Sequence, residues 1–224
     1  MPRIDFRCFK LMLSFPSLKT MGCLSLVALG LVACSPDRTQ ALLEPSQALG
    51  VVLAEETVRA AGANHQVVVI SPNANWGPMS TVETAFRSAL KKQGFSIAST
   101  KSVDLGNPMR FQAGLKGADF LAALDQAGGA GAVVSLCGAP VLSPGDLGLV
   151  AAAHPPVLVV ATTMLGAVPG VAGNRSVLTS LLAAKIIQLA IIDGSDSAAP
   201  NAGKRDPAHE LFYQNYRILR PGDQ

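Results

Sequence analysis

The side chains able to do chemistry are few and scattered along this 224-residue chain. His65, His154 and His209 each stand at the end of an element, and no Gly-x-Ser-x-Gly elbow presents a serine, so Ser-His-Asp acyl transfer has no nucleophile to work with. Cys137 closes an apolar run without a basic neighbour to take its proton. No His, Cys, Asp or Glu grouping has metal-ligand spacing, and Asp193 with Asp196 lies in a polar stretch. Gly128-Gly129-Ala130-Gly131 precedes an apolar run, whereas a dinucleotide-binding glycine loop follows a strand and opens a helix. The reading is of a non-enzyme without cofactor or metal, with a hydrolase-like activity ranked third among the functions considered. What remains is neutral and polar: Ser71, Asn73, Asn75 and Trp76, then Gly138, Thr162 and Thr163, and the single carboxylate of Asp193. Amides and hydroxyls hydrogen-bond neutral solutes and an indole offers a face for stacking. Asn73 and Asn75 equally suit a turn, and Trp76 the cover of a core edge.

These residues are candidates because of where their elements put them. Gln66-Val67-Val68-Val69-Ile70-Ser71 is a β-branched run of the kind buried on both faces of a parallel sheet. Further strands are expected at Phe95–Ala98, Ala132–Leu136, Val157–Ala161 and Ile186–Ile192, with 100–115 read as loop. Helices are expected over Ser46–Ala61 (stopped by Gly62), from Ser80 to about Lys92, over Ala118–Ala127, from Ser143, over Ser176–Ala184 and over His209–Tyr216. Ser80-Thr81-Val82-Glu83 has the form of a capping box, and Ser143-Pro144-Gly145-Asp146 that of a helix start. The aromatic cluster Phe212-Tyr213-Gln214-Asn215-Tyr216 is expected to pack the last helix onto the domain. Strands alternating with helices predict an α/β fold: three α/β/α layers around a mostly parallel, five-stranded, Rossmann-like sheet. In such a sheet ligands sit beyond the carboxyl ends of the strands, where all eight residues fall.

The N-terminus carries a separate signal. The twelve apolar or small residues from Gly22 to Ala33 follow Arg7, Lys10 and Lys19, a length suited to a signal-peptide core rather than a membrane span. Leu31-Val32-Ala33-Cys34 resembles the lipobox of bacterial lipoproteins, in which the cysteine takes the lipid and begins the mature chain. That resemblance implies a signal peptide over 1–33, a lipidated tether over 34–45 and one domain over 46–224, with translation starting at Met1 or Met12. It implies a lipid-anchored protein of the bacterial envelope, and Ser35 after the cysteine implies the periplasmic face of the outer membrane. Loss of Arg3, Arg7, Lys10, Lys19 and Asp5 from 18 basic and 15 acidic residues leaves fourteen of each. The net charge of +3 therefore belongs to the leader, and no basic surface remains for nucleic acid. Of four cysteines only Cys137 stays free, so no disulfide braces the domain.

The order of helix, Gln66–Ser71 strand, amphipathic helix, Gly131-Ala132-Val133-Val134-Ser135, Pro156-Val157-Leu158-Val159-Val160 and Gln188-Leu189-Ala190-Ile191 resembles one lobe of the sugar-type periplasmic binding proteins. The resemblance implies a small polar solute as ligand. Those proteins close two lobes on a solute, and this chain has length for one, so the strand-end edge is expected to serve as an open shelf, a homodimer interface or a docking surface for an envelope protein. A structural or assembly lipoprotein without a solute is the second reading.

Overall fold

In the computed structural model, which describes residues 38–73, 77–105, 114–150, 154–163, 174–194 and 206–223, β1 (Gln66–Pro72) is buried at six of its seven positions. It pairs in parallel with β2 (Ser96–Val103) on one side and β4 (Ala132–Ser135) on the other. From β4 the sheet continues through β6 (Val157–Ala161) and β7 (Leu189–Asp193), all parallel, and closes on the antiparallel β8 (Tyr216–Leu219). The order is β2-β1-β4-β6-β7-β8. A separate pair, β3 (Leu115–Lys116) and β5 (Pro140–Val141), forms a small parallel sheet of its own.

Side-chain alternation along the strands sorts the core into two layers. Val67, Val69, Val134, Val160 and Ile191 pack with Leu49 and Leu53 of α1 (Arg38–Ala61), Phe86 and Leu90 of α2 (Gly77–Lys92) and Phe212 of α6 (Pro207–Asn215). Val68, Ile70, Val133, Val159 and Ala190 pack with Phe120 and Leu124 of α3 (Gly117–Gln126) and Leu178 and Leu182 of α5 (Arg175–Ala183). Val82, Phe86 and Leu90, four apart, form the buried stripe that makes α2 amphipathic. α1 crosses α2 at Gly50, where a Cβ would lie 2.5 Å from the Val82 carbonyl oxygen. The short α4 (Pro144–Leu149) starts where expected and is closed by a reciprocal cap: the Asp146 N–H donates to Ser143 Oγ at 3.2 Å, and the Ser143 N–H to Asp146 Oδ2 at 2.8 Å.

The three-layer, mostly parallel sheet is as expected, but it has six strands rather than five. β8 was read as the end of the last helix and a tail; four residues at an antiparallel edge are too few for a periodic signal. β2 runs to Val103 through residues read as loop. It is an edge strand with only its last residue buried, so its Ser, Thr and Lys side chains leave no apolar alternation. β7 begins at Leu189 rather than Ile186, because the chain turns at Lys185 (φ 59°) and the Ile186 N–H bonds back to the Leu181 carbonyl at 2.9 Å. α1 begins at Arg38, through residues expected as tether, and carries Pro45 inside it. Ser80-Glu83 is not a capping box: α2 starts at Gly77, Ser80 Oγ donates to the Gly77 carbonyl at 2.9 Å, and Glu83 turns to other partners. Phe212 and Tyr216 are buried in the core with ring centroids 5.5 Å apart, the packing role expected of the aromatic cluster. Among the described residues no helix is long and apolar enough to cross a membrane.

Candidate functional site

Strand order reverses between β1 and β4: from β1 the chain goes first outward to β2, and only later to β4 on the other side. Loops leaving the carboxyl ends there diverge and open a crevice. Ser71, next to last in β1, is 5% exposed, and its Oγ donates to Glu83 Oε2 at 2.8 Å. Glu83 also accepts from Arg87 Nε at 2.8 Å, and Arg87 Nη2 reaches Thr100 Oγ1 of β2 at 3.0 Å. The Ser71 hydroxyl is thus tied into a network joining β1, α2 and β2. Asn73 is exposed, and its backbone N–H donates to the Val103 carbonyl at 2.9 Å. Asn75 and Trp76 lie outside the described residues, as does 166–173, read from sequence as a glycine-rich passage.

Gly138 closes the turn after β4 with φ 81°, a conformation glycine adopts without penalty. Its carbonyl accepts from Ser135 Oγ at 2.9 Å, and Ser135 Oγ in turn accepts from the Cys137 N–H at 3.3 Å. Cys137 is buried, with Sγ 3.7 Å from the Ile70 carbonyl oxygen. Burial pushes its thiol far above the usual range, and the Glu83 and Asp119 carboxylates push it further. A thiol so held has no thiolate to offer at neutral pH. It fills the core as a small hydrophobe.

At the ends of β6 and β7 the polar groups come together. Thr162 is fully buried, and its Oγ1 has no hydrogen-bond partner. The next residue, Thr163, is exposed and donates its N–H to Asp193 Oδ2 at 2.7 Å, tying the two strand ends. Asp193 pairs in register with Tyr216 of β8, whose hydroxyl is pushed up to about 12 by burial and then by the Asp193 carboxylate. Beside it, Arg217 opposes Ile192, and its Nε is the second buried polar atom without a partner. Sequence reasoning reached Thr162, Thr163 and Asp193 through their strand ends. It missed Arg217 because the four residues of β8 are too short a run to mark a strand in the sequence.

The histidines sit apart from this edge. His65 stacks on Phe95 with ring centroids 4.6 Å apart, and His154 Nδ1 lies 2.8 Å from the Pro155 carbonyl oxygen. His209, in the first turn of α6, lies between two carboxylates, Glu55 at 2.8 Å and Asp206 at 3.0 Å. The carboxylates meet opposite nitrogens of the ring, so the trio does not converge on one point. Among the described residues no grouping of three or more His, Cys, Asp or Glu is arranged to hold a metal ion.

Counting the parallel strands alone in chain order, the sheet reads 2-1-3-4-5, which defines a doubly wound, Rossmann-like α/β domain. No protein-family model and no curated protein matches the sequence. Solved structures similar to this chain include a periplasmic ribose ABC transporter protein from Conexibacter woesei, at 17% identity over 66% of this chain and 45% of that one, with a TM-score of 0.46. They also include the XylFII–LytSN complex, at 12% identity over 80% of this chain and 61% of that one, with a TM-score of 0.49. AraP, an arabinose binding protein from Geobacillus stearothermophilus, is similar at 10% identity over 66% of this chain and 45% of that one, with a TM-score of 0.46. The chain therefore spans less than two thirds of the length of each.

Proposed function

We propose that the carboxyl edge of the parallel sheet binds a small polar solute, in a protein carried by a lipid on Cys34 at the periplasmic face of the bacterial outer membrane. The observation that supports binding most directly is Thr162: a hydroxyl fully buried at a strand end without a partner among the described residues is expensive unless something else completes its hydrogen bonds. Asn73, Thr163 and Asp193 supply further polar groups along the same edge, Asn73 directly after β1 beside the strand-order reversal. The edge works as an open shelf or pairs with a second copy. Among the described residues, the Cys137 thiol near this edge is buried and pushed far above its usual range.

The test is a thermal-shift panel of neutral pentoses and hexoses, sugar acids, nucleosides and amino acids on the mature chain. A saturable rise in melting temperature with one class, lost in Thr162→Val, is the expected result. A flat response across the whole panel overturns the solute reading. A second reading has an observation of its own: Val141, Leu147 and Val177, at 51%, 45% and 37% exposure, line a groove of about 510 Å³ between β5, α4 and α5. Exposed large apolar side chains gathered around one groove suit a protein partner. A flat panel, together with an envelope protein that co-purifies with the wild type and not with Leu147→Asp, favours an assembly role.

A further inference from the structure

A cavity of about 370 Å³ lies at the amino edge of the sheet, where α3 runs out toward β4 and the chain enters β6. That is the end opposite the candidate solute edge. Leu121 and Leu124 of α3, Leu149 of α4 and Pro155 make its walls apolar. Leu149 is 70% exposed, the most open large apolar side chain among the described residues. An apolar body seated in the cavity covers part of that surface and gains from doing so.

Two polar side chains, Asp125 and His154, line the same space. His154 Nδ1 lies 2.8 Å from the Pro155 carbonyl oxygen, so that nitrogen carries a proton and donates it. In the neutral ring Nε2 is then an acceptor. Asp125 stands in the last turn of α3, where the negative end of the helix favours a cation, and that turn holds no basic residue. The ion pairs among the described residues take Glu55, Glu56, Glu83 and Asp206, not Asp125. Carboxylate, imidazole nitrogen and helix end are all electron-rich, and among the described residues no lysine or arginine lines the cavity to balance them.

We infer that this cavity binds a small organic ammonium ion, its charged head on Asp125 and His154 and its alkyl or aryl body against Leu121, Leu124 and Leu149. An ammonium brings three donors and a positive charge, which all three electron-rich groups accept. An alcohol of the same shape brings one donor and no charge, and a carboxylate meets like charge at Asp125. The site is separate from the carboxyl edge and stands whether or not that edge takes a solute.

Titration calorimetry on the protein tests this, using phenethylamine, tyramine and hexylamine against phenethyl alcohol and hexanol, with hydrocinnamate as the carboxylate counterpart. At least one amine is expected to bind saturably and its alcohol to bind about tenfold more weakly, the combined effect of an ion pair, a hydrogen bond and a helix end. Hydrocinnamate is expected not to bind. Asp125→Asn should lower amine affinity about twofold to fivefold, the range of an exposed ion pair, and Asp125→Lys should turn the preference toward hydrocinnamate. Leu149→Ser should weaken amine and alcohol alike. Asp125 and Leu149 are both exposed, so these variants keep the core, and an unchanged unliganded melting temperature verifies it. Amines that do not bind, amines and alcohols that bind equally, or an amine affinity unchanged in Asp125→Asn and Asp125→Lys overturn the inference.

Discussion

His209 shows what a single residue does in this fold beyond filling space. Its Nε2 reaches Glu55 of α1 at 2.8 Å, and its Nδ1 reaches Asp206, the N-cap of α6, at 3.0 Å. Partial burial opposes the imidazolium, but the hydrogen bonds and charges of Asp206 and Glu55 outweigh it and raise the His209 pKa above 6.5. Asp206 moves the other way: its hydrogen bonds from His209 hold its carboxyl below the usual 3.8. A raised folded-state pKa means stability present in full below the unfolded value and lost as pH rises through the folded one. The lowered Asp206 contributes above about 3.8 and loses its contribution as the pH falls below that. The clasp is therefore fullest between roughly pH 4 and 6.5. The melting temperature of the wild type should exceed that of His209→Gln by most near pH 5.5, with the gap narrowing toward pH 8. A gap independent of pH shows that the ring acts by packing alone. Sequence reading placed His209 at an element end as a cap or surface residue; its partner Glu55 lies 154 positions away, beyond any local pattern.

At the scale of elements, the contact of α1 with α2 has one narrow point. A Cβ at Gly50 would meet the Val82 carbonyl at 2.5 Å, the Ala85 Cβ at 2.8 Å and the Phe86 N–H nitrogen at 2.8 Å. In an isolated helix, replacing glycine with alanine stabilises by about 1 kcal/mol. Here the close backbone approach should reverse the sign, because α2 cannot yield without lifting Phe86 out of the core, and overpacking of this kind costs about 1–3 kcal/mol. Urea unfolding of Gly50→Ala should show a lower midpoint at unchanged slope; an unchanged or higher midpoint means the helices part at little cost. The elements with strong local signals were legible. Val82, Phe86 and Leu90 at intervals of four, the Val67–Ile70 run and the Ser143–Asp146 cap each carry their instruction within a few residues. The polar edge strand β2, the four-residue β8 and the start of α1 through Pro45 do not, because their conformation is decided by neighbours across the sheet or the helix interface.

For the whole molecule, the lipid anchor is the claim that decides where the protein works. On the proposed cleavage before Cys34, the remaining residues balance fourteen acidic and fourteen basic side chains, so net charge would give them no hold on an anionic membrane. Attachment then depends on acyl chains at Cys34, and Cys34→Ala should move the protein from the membrane to the soluble fraction. Fractionation unchanged by that substitution removes the anchor from the reading and leaves the domain's fold untouched.

By itself, the sequence determined the layer order, the parallel sense of the main strands and the edge at which polar groups would gather. These follow from periodicity, β-branching and chain order, which are local properties. Only the tertiary structure decided which of those polar groups are already occupied. Ser71 is tied to Glu83, Cys137 is sealed under Ile70, and Thr162 and Arg217 are left with buried atoms unpaired. Whether a hydroxyl or a cation is satisfied depends on partners brought from distant parts of the chain, and no spacing within the sequence records that.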